Sequence, residues 1–427
     1  MKYFNVAIVQ LLFFICEARK TLIISSDGFR WDYYGKYLTP GLDKLRASGL
    51  QVKNLINSFA TVTFPNHYTL VTGLYEESHG IVDNEMFDPA FNETFDMSTI
   101  DPKWWAQAEP IWVTAEKNGF KSVCVNWVGC SVPHADNILP SYWNYYDGSI
   151  EYRDRVDRVV EHLVDGDAEL GLLYFEEPDH SCHMFGVDTP ELEKAIVKVD
   201  AAIQYLLDRI DINSVNVIFT ADHGGYGVSQ SRVVILEEWT RFPFNVAASG
   251  AVAHIWPVDD QNLNDILAGF SSIHKDQASC YSKLDIPSRL HYTFNRRIAP
   301  IVCVAELGWT IMQSEADRNR FHLKGSHGYD ASMDENSPMR PVFLAAGPDI
   351  ARMTPTQEPL PPFENVHIFP LLAKLVGIDE KQWPPINGTG THANRILETE
   401  PEGGFPLQSI ILGAGYTGAL LFYLKTV

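Results

Sequence analysis

The sequence predicts an α/β protein whose mostly parallel central sheet is flanked by helices on both faces. Three observations predict it. Near-continuous apolar runs recur along the chain, as in strands buried on both faces. Stretches of helical periodicity lie between them, the alternation of a doubly wound sheet. Clusters of Asp, His and Gly stand directly after several of the runs, where such sheets bind ligands.

The elements follow in chain order. Lys2 and an apolar run from Val6 to Cys16 are too short to span a bilayer and predict a signal peptide over residues 1–18. One globular domain is then expected over 19–395. It opens with a strand at Thr21–Ser26 and a helix at Gly41–Ala47. A helix-like stretch at Tyr68–Leu74 follows Pro65, which suits a first turn and puts Thr63 at the N-terminal end. There a hydroxyl feels the positive end of the helix dipole, although a plain Thr N-cap fits the same position. Next come a helix at Pro110–Lys117, a strand at Lys121–Trp127, a helix at Val156–Val164 and a strand at Leu170–Phe175. The helix at Glu191–Ile210 carries Leu192, Ala195, Val199 and Ile203 on one face, with Pro190 in its first turn. Strands follow at Val215–Thr220 and Val342–Ala345, and the irregular stretch Trp239–Val304 between them reads as an inserted lobe. Residues 396–404 form a juxtamembrane linker. No charge appears over residues 405–424, which predicts a transmembrane helix, with a GPI signal as the alternative.

Composition narrows the function. The chain has 427 residues, 33 Lys and Arg against 54 Asp and Glu, and a net charge of −21. That excludes coating of a nucleic-acid duplex, whereas a small phosphate compound held through cations remains compatible. Cys280 and Cys303 bracket a loop-like stretch and are expected to pair; Cys124 and Cys130 are a second candidate pair, which leaves Cys182 as a free thiol. Asn92 and Asn387 head glycosylation sequons, usable in a secreted chain.

Asp27-Gly28, Glu176-Glu177-Pro178-Asp179-His180 and Asp222-His223-Gly224-Gly225 each follow a predicted strand, and Gly325-Ser326-His327-Gly328 adds a further His. Singly, these are turns and caps. Together, Asp and His are the ligand set of zinc or a related divalent ion, so the pattern predicts a metal-dependent hydrolase of unspecified substrate.

Asp27-Gly28-Phe29-Arg30, Thr63-Phe64-Pro65-Asn66-His67-Tyr68, Glu77-Ser78-His79-Gly80-Ile81, Glu176-Glu177-Pro178-Asp179 and Asp222-His223-Gly224 carry a resemblance. The chain resembles the ectonucleotide pyrophosphatase/phosphodiesterase family of the alkaline phosphatase superfamily, in the family's order over about Thr21 to Arg395. It is similar to the short, membrane-anchored members with one catalytic domain. The resemblance implies an alkaline-phosphatase-like core and two zinc ions per chain. Asp27, Thr63, Asp222 and His223 would hold one ion, and Asp179, His183 and His327 the other. It implies that Thr63 is the nucleophile, that Asn84 donates to a phosphate oxygen, and that Phe64 and Tyr146 stack on the base with Trp127 lining the same pocket. The implied activity is extracellular hydrolysis of nucleotide pyrophosphate or phosphodiester bonds, releasing nucleoside 5'-monophosphates.

Departures refine this. Members that favour ATP carry lysines where Val62 and Glu85 stand, so NAD, ADP or dinucleotide polyphosphates fit the charge better than ATP. Cys182 stands in the Asp179–His183 loop, where a small residue is usual. A choline-phosphodiester phospholipase-C-like activity is the alternative. A catalytically silent binding protein is the third reading, against which the intact set of candidate ligands argues.

Overall fold

A computed structural model describes residues 20–397. The expected signal peptide, most of the linker and the 405–424 segment lie outside the described residues. Among those described, no helix is long and apolar enough to cross a membrane.

The central sheet has seven strands: β1 (Lys20–Ser26), β2 (Gly49–Val52), β3 (Ser122–Val125), β4 (Tyr142–Trp143), β5 (Leu170–Phe175), β6 (Val215–Thr220) and β7 (Phe343–Ala346). Their order is β2-β7-β6-β1-β5-β3-β4. β7 runs antiparallel to both neighbours, and the other pairings are parallel. The expected strand at Val342–Ala345 therefore exists but opposes the rest, because an apolar run records burial on both faces and carries no direction. β2 and β4, four and two residues long, are too short to leave a pattern of their own.

The principal helices around the sheet are α1 (Pro40–Ala47), α2 (Thr63–Thr72), α3 (Ile111–Lys117), α4 (Tyr152–Val159), α5 (Asp179–Phe185), α6 (Pro190–Arg209) and α7 (Ile368–Val376). A π turn at Val160–Val164 continues α4. Alternate strand residues choose the layer. Leu22, Ile24, Val217 and Phe219 share a core with α1, α4 and α6. Ile23, Leu172 and Ile218 face the opposite layer, which holds α2, α3 and α7. Each fully buried aliphatic side chain contributes about 2 kcal/mol.

The long α6 begins where its chemistry dictates. Thr189 accepts a hydrogen bond from the Leu192 N–H at 3.3 Å, and Pro190 occupies the first turn. Further along, the buried Asp200 carboxylate accepts from the Gly41 and Leu42 N–H groups at 2.9 and 2.8 Å. It thereby caps α1, whose own Thr39 makes no side-chain cap.

The irregular stretch Trp239–Val304 resolves into a lobe with its own core. Four antiparallel strands order as Phe244–Val246, Val252–Pro257, Ile301–Ala305 and Ala278–Ser282. The helix Leu263–Phe270 contributes Ile266 and Phe270 to that core. Cys280 and Cys303 stand opposite each other in register and form a disulfide. Cys124 and Cys130 form the other, and Cys182 is free and buried.

Candidate active site

Parallel β1, β5 and β6 deliver polar residues at their carboxyl ends. Asp27 follows β1, Asp179 opens α5 just beyond β5, and Asp222 and His223 follow β6. Gly28 makes the convergence tight. Its φ is +68°, and a Cβ there would lie 2.8 Å from the Cβ of Asp179. His183 stands one turn beyond Asp179 on α5, with Nε2 3.1 Å from the Asp179 carboxylate. His327 arrives from the Gly325–Ser326 strand, which pairs with Tyr226–Gly227, and its Nε2 is 3.8 Å from Asp179.

Thr63 is the first residue of α2. Val62 holds the cap position, so the Thr63 hydroxyl is not spent on capping. Instead Oγ1 lies 3.2 Å from His223 Nε2. That nitrogen is also 3.4 Å from Asp27 Oδ1 and 3.1 Å from Asp222 Oδ2.

The three imidazoles are oriented alike. His183 donates from Nδ1 to the Gly325 carbonyl at 2.8 Å, His223 to the Gly224 carbonyl at 2.8 Å, and His327 to the Thr61 carbonyl at 3.1 Å. A carbonyl only accepts, so each Nδ1 carries a hydrogen and each ring turns its Nε2 inward, where it offers a lone pair once any proton there has left. The Nε2 of a neutral His223 can accept from the Thr63 hydroxyl, but it meets the Asp27 and Asp222 carboxylate oxygens acceptor against acceptor. Asp27 Oδ1 and Asp222 Oδ2 are buried and make no hydrogen bond. Positive charge among these atoms is what stabilises them. The donors fit a divalent cation, and they form two groups: Asp27, Asp222 and His223, and Asp179, His223 and His327. His183, on Asp179, extends the second.

Electrostatics agree. Burial, then the charges of Asp222 and Asp179, push the Asp27 carboxyl well above its usual range. Burial works the same way on Asp179, but His183 and His327 outweigh it and hold that carboxyl low; His223 and His67 do so for Asp222. Burial lowers the His183 imidazole, yet Asp179 raises it overall to about 9. Burial and the stacked ring of His223, 3.6 Å away, press His327 down to about 3.

Asn84 Oδ1 accepts from the Phe64 N–H at 2.8 Å, which leaves the Asn84 amide hydrogens to point elsewhere. Phe64 is half-buried against Phe95 and Trp105. Tyr146 is 61% exposed, its ring 6.3 Å from that of Tyr174. Trp127 is only 4% exposed and packs edge-on against His67, leaving little ring area for a ligand. Asn92 and Asn387 are both exposed.

Several supporting residues have no role in the motif reading. Tyr174 donates to Asp27 Oδ2 at 2.6 Å. His67 donates from Nδ1 to the Thr63 carbonyl at 2.8 Å, lies 3.4 Å from Asp222, and accepts from Ser25 through Nε2. Buried Arg155 grips Glu176 and the Tyr174 carbonyl, anchoring the turn into Asp179. His67, four residues beyond Thr63 on one helix, is the member a sequence could have disclosed. Tyr174 leaves a fainter trace, a polar-tipped ring near the end of an apolar run.

Residues 21–330 match the family profile described as type I phosphodiesterase / nucleotide pyrophosphatase. Human ectonucleotide pyrophosphatase/phosphodiesterase family member 5 is 35% identical over 409 residues, covering 93% of this chain and 82% of that one. Human bis(5'-adenosyl)-triphosphatase is 35% identical over 389 residues, 88% of this chain and 82% of the relative. Among solved structures, murine ectonucleotide pyrophosphatase/phosphodiesterase 5 superposes with a TM-score of 0.82 at 36% identity, covering 89% of this chain and 100% of that one. A threonine-to-alanine variant of that murine protein, described as inactive and in complex with AMP, gives the same TM-score at 35% identity, again covering 89% of this chain and 100% of its own.

Proposed function

The chain belongs to the type I phosphodiesterase / nucleotide pyrophosphatase family, and on that premise we propose that it is an extracellular, zinc-dependent hydrolase of nucleotide pyrophosphate and phosphodiester bonds with Thr63 as nucleophile. The observation that carries this reading is the Thr63 hydroxyl, free of any capping role, 3.2 Å from His223 beside two buried carboxylate oxygens without hydrogen bonds. Asp27, Thr63, Asp222 and His223 would hold one zinc ion, and Asp179, His183 and His327 the other. When bound, the ions supply charge for the phosphoryl oxygens, an acidified Thr63 hydroxyl and an activated water.

The chain's own groups do the rest. α2 aims Thr63 Oγ1 at phosphorus, and the helix's N-terminal dipole favours the developing negative charge. Asn84, fixed through Oδ1 by the Phe64 N–H, directs its amide hydrogens to a phosphate oxygen. Transfer to Thr63 Oγ1 expels the leaving group, and water then releases the nucleoside 5'-monophosphate. Phe64 and Tyr146 stack on the base, a contact tolerant of base identity. Val62 and exposed Glu85 offer no cation to a terminal phosphate, which disfavours ATP and leaves NAD, ADP or dinucleotide polyphosphates. The relative named for bis(5'-adenosyl)-triphosphate hydrolysis and the AMP-bound structure point the same way.

The predicted signal peptide, the two disulfides and the exposed sequons at Asn92 and Asn387 support secretion. The apolar 405–424 segment then serves as the membrane anchor, or as a GPI signal.

The test compares nitrophenyl thymidine monophosphate with nitrophenyl phosphorylcholine, before and after chelation. Zinc-restored turnover of the nucleotide ester, abolished in folded Thr63→Ala, is the expected result. Preference for the choline ester would move the activity to lipid head groups; turnover that survives Thr63→Ala would remove the nucleophile assignment.

A further inference from the structure

We propose that Thr61 is the positioning residue that locks His327, and with it the second metal site, in register with the nucleophile. The inference rests on the two-metal reading above. Thr61 is wholly buried and lies two residues before Thr63, on the turn that enters α2. Three hydrogen bonds tie it to the loop carrying His327. Its main-chain carbonyl accepts from His327 Nδ1 at 3.1 Å. Its hydroxyl accepts from the Gly328 N–H at 3.0 Å and donates to the Tyr329 carbonyl at 2.8 Å.

One residue thus fixes three consecutive positions of the opposing loop, with the imidazole first among them. The bond to Nδ1 selects the tautomer whose Nε2 lone pair faces Asp179. The hydroxyl holds the backbone on which that ring is mounted. Valine has nearly the same shape and leaves two buried backbone groups without partners, so it releases the loop; serine keeps all three bonds. Nothing in this clasp touches Asp27 or Asp222. Its loss therefore acts first on the site that holds His327 and reaches the Asp27–Asp222 group only through the stacked ring of His223, an order that a general loss of stability would not give.

The experiment titrates zinc into the chelator-treated full chain against a chromogenic chelator, for wild type, Thr61→Val, Thr61→Ser and His327→Ala. Two tight ions are expected in wild type and Thr61→Ser. In Thr61→Val one of the two should bind 10- to 100-fold more weakly, the loss typical of removing a ligand's supporting bond, while the other weakens less. His327→Ala should weaken the same site. Two ions bound as in wild type by Thr61→Val would overturn the role of Thr61 and leave the two-metal reading standing. Fewer than two in wild type would overturn both. Nitrogen-15 histidine spectra give an answer that does not depend on Thr61→Val folding. In the metal-free full chain the His327 resonances, assigned by their absence in His327→Ala, should report a hydrogen on Nδ1; a hydrogen on Nε2 would overturn the clasp.

Discussion

Gly28→Ala is the sharpest test of how the site is built. The new Cβ would stand 2.8 Å from Asp179 Cβ and 3.0 Å from its Cα, against an ordinary carbon contact of about 3.5–4.0 Å. Asp27 and Asp179 must therefore move apart by about 0.7–1 Å, or the turn must refold. Neither neighbour is the flexible tip of a side chain. The positive φ adds about 1 kcal/mol of strain for any residue with a Cβ. Those two effects separate cleanly. Strain lowers stability, whereas displacement of about 1 Å between metal-bearing carboxylates costs about 100-fold in rate, or about 2.7 kcal/mol of barrier. Gly35→Ala supplies the control, since its φ is +89° and nothing lies within 4 Å of the added Cβ. Nucleotide-ester kcat/KM and thermal midpoint would be measured for both variants. The expected outcome is a small loss of midpoint in each and a rate loss of about 100-fold in Gly28→Ala alone. Wild-type kcat/KM in folded Gly28→Ala would refute the claim that this contact sets the spacing of the carboxylates.

Other outcomes follow from particular bonds. Tyr174→Phe removes the donor on Asp27 Oδ2 and should weaken zinc binding about 10-fold with little change in midpoint, read by chelator competition. Since Asp179 holds the His183 proton up to about 9, zinc must displace it; calorimetry near pH 7.5 in buffers of different ionisation enthalpy should show about one proton released from that ring, lost in His183→Ala. Although burial raises Asp88, its bonds to Arg296 and Arg297 bring the carboxyl down to about 2. A depressed folded value means stability present above the unfolded value of about 4 and lost as pH falls from there through about 2, about 2 kcal/mol in all. Asp88→Asn should abolish that acid dependence in denaturant titrations and leave the buried Arg297 charge uncompensated at neutral pH.

Much of this was legible in the chain. Asp27, Asp179 and Asp222 announce themselves because each follows a strand buried on both faces, and parallel strands bring their carboxyl ends together. α6 is legible through its apolar stripe and Pro190. What stays hidden has a common cause. Which carbonyl an imidazole will meet, as His327 meets Thr61, depends on two loops far apart in sequence, and no local pattern encodes it. Likewise the reversed direction of β7 is set by its connections, while its residues record only burial. The lobe reads as irregular because its strands are short and its core is closed by cross-strand pairs such as Cys280 and Cys303.

The order of the ligands along the chain has a consequence for biogenesis. Asp27 follows the first strand of the sheet and His327 lies in a loop that precedes its last, so contacts of long sequence separation must form before either metal group is whole. Such contacts make for slow folding. A growing polypeptide carries Asp27 and Thr63 long before it has synthesised Asp222, His223 or the loop that orients His327. Metal capture is therefore a late event, completed after synthesis has passed these residues, and a fragment ending before them carries the proposed nucleophile Thr63 without the groups that would activate it. Hydrolytic capacity arises only with the finished domain.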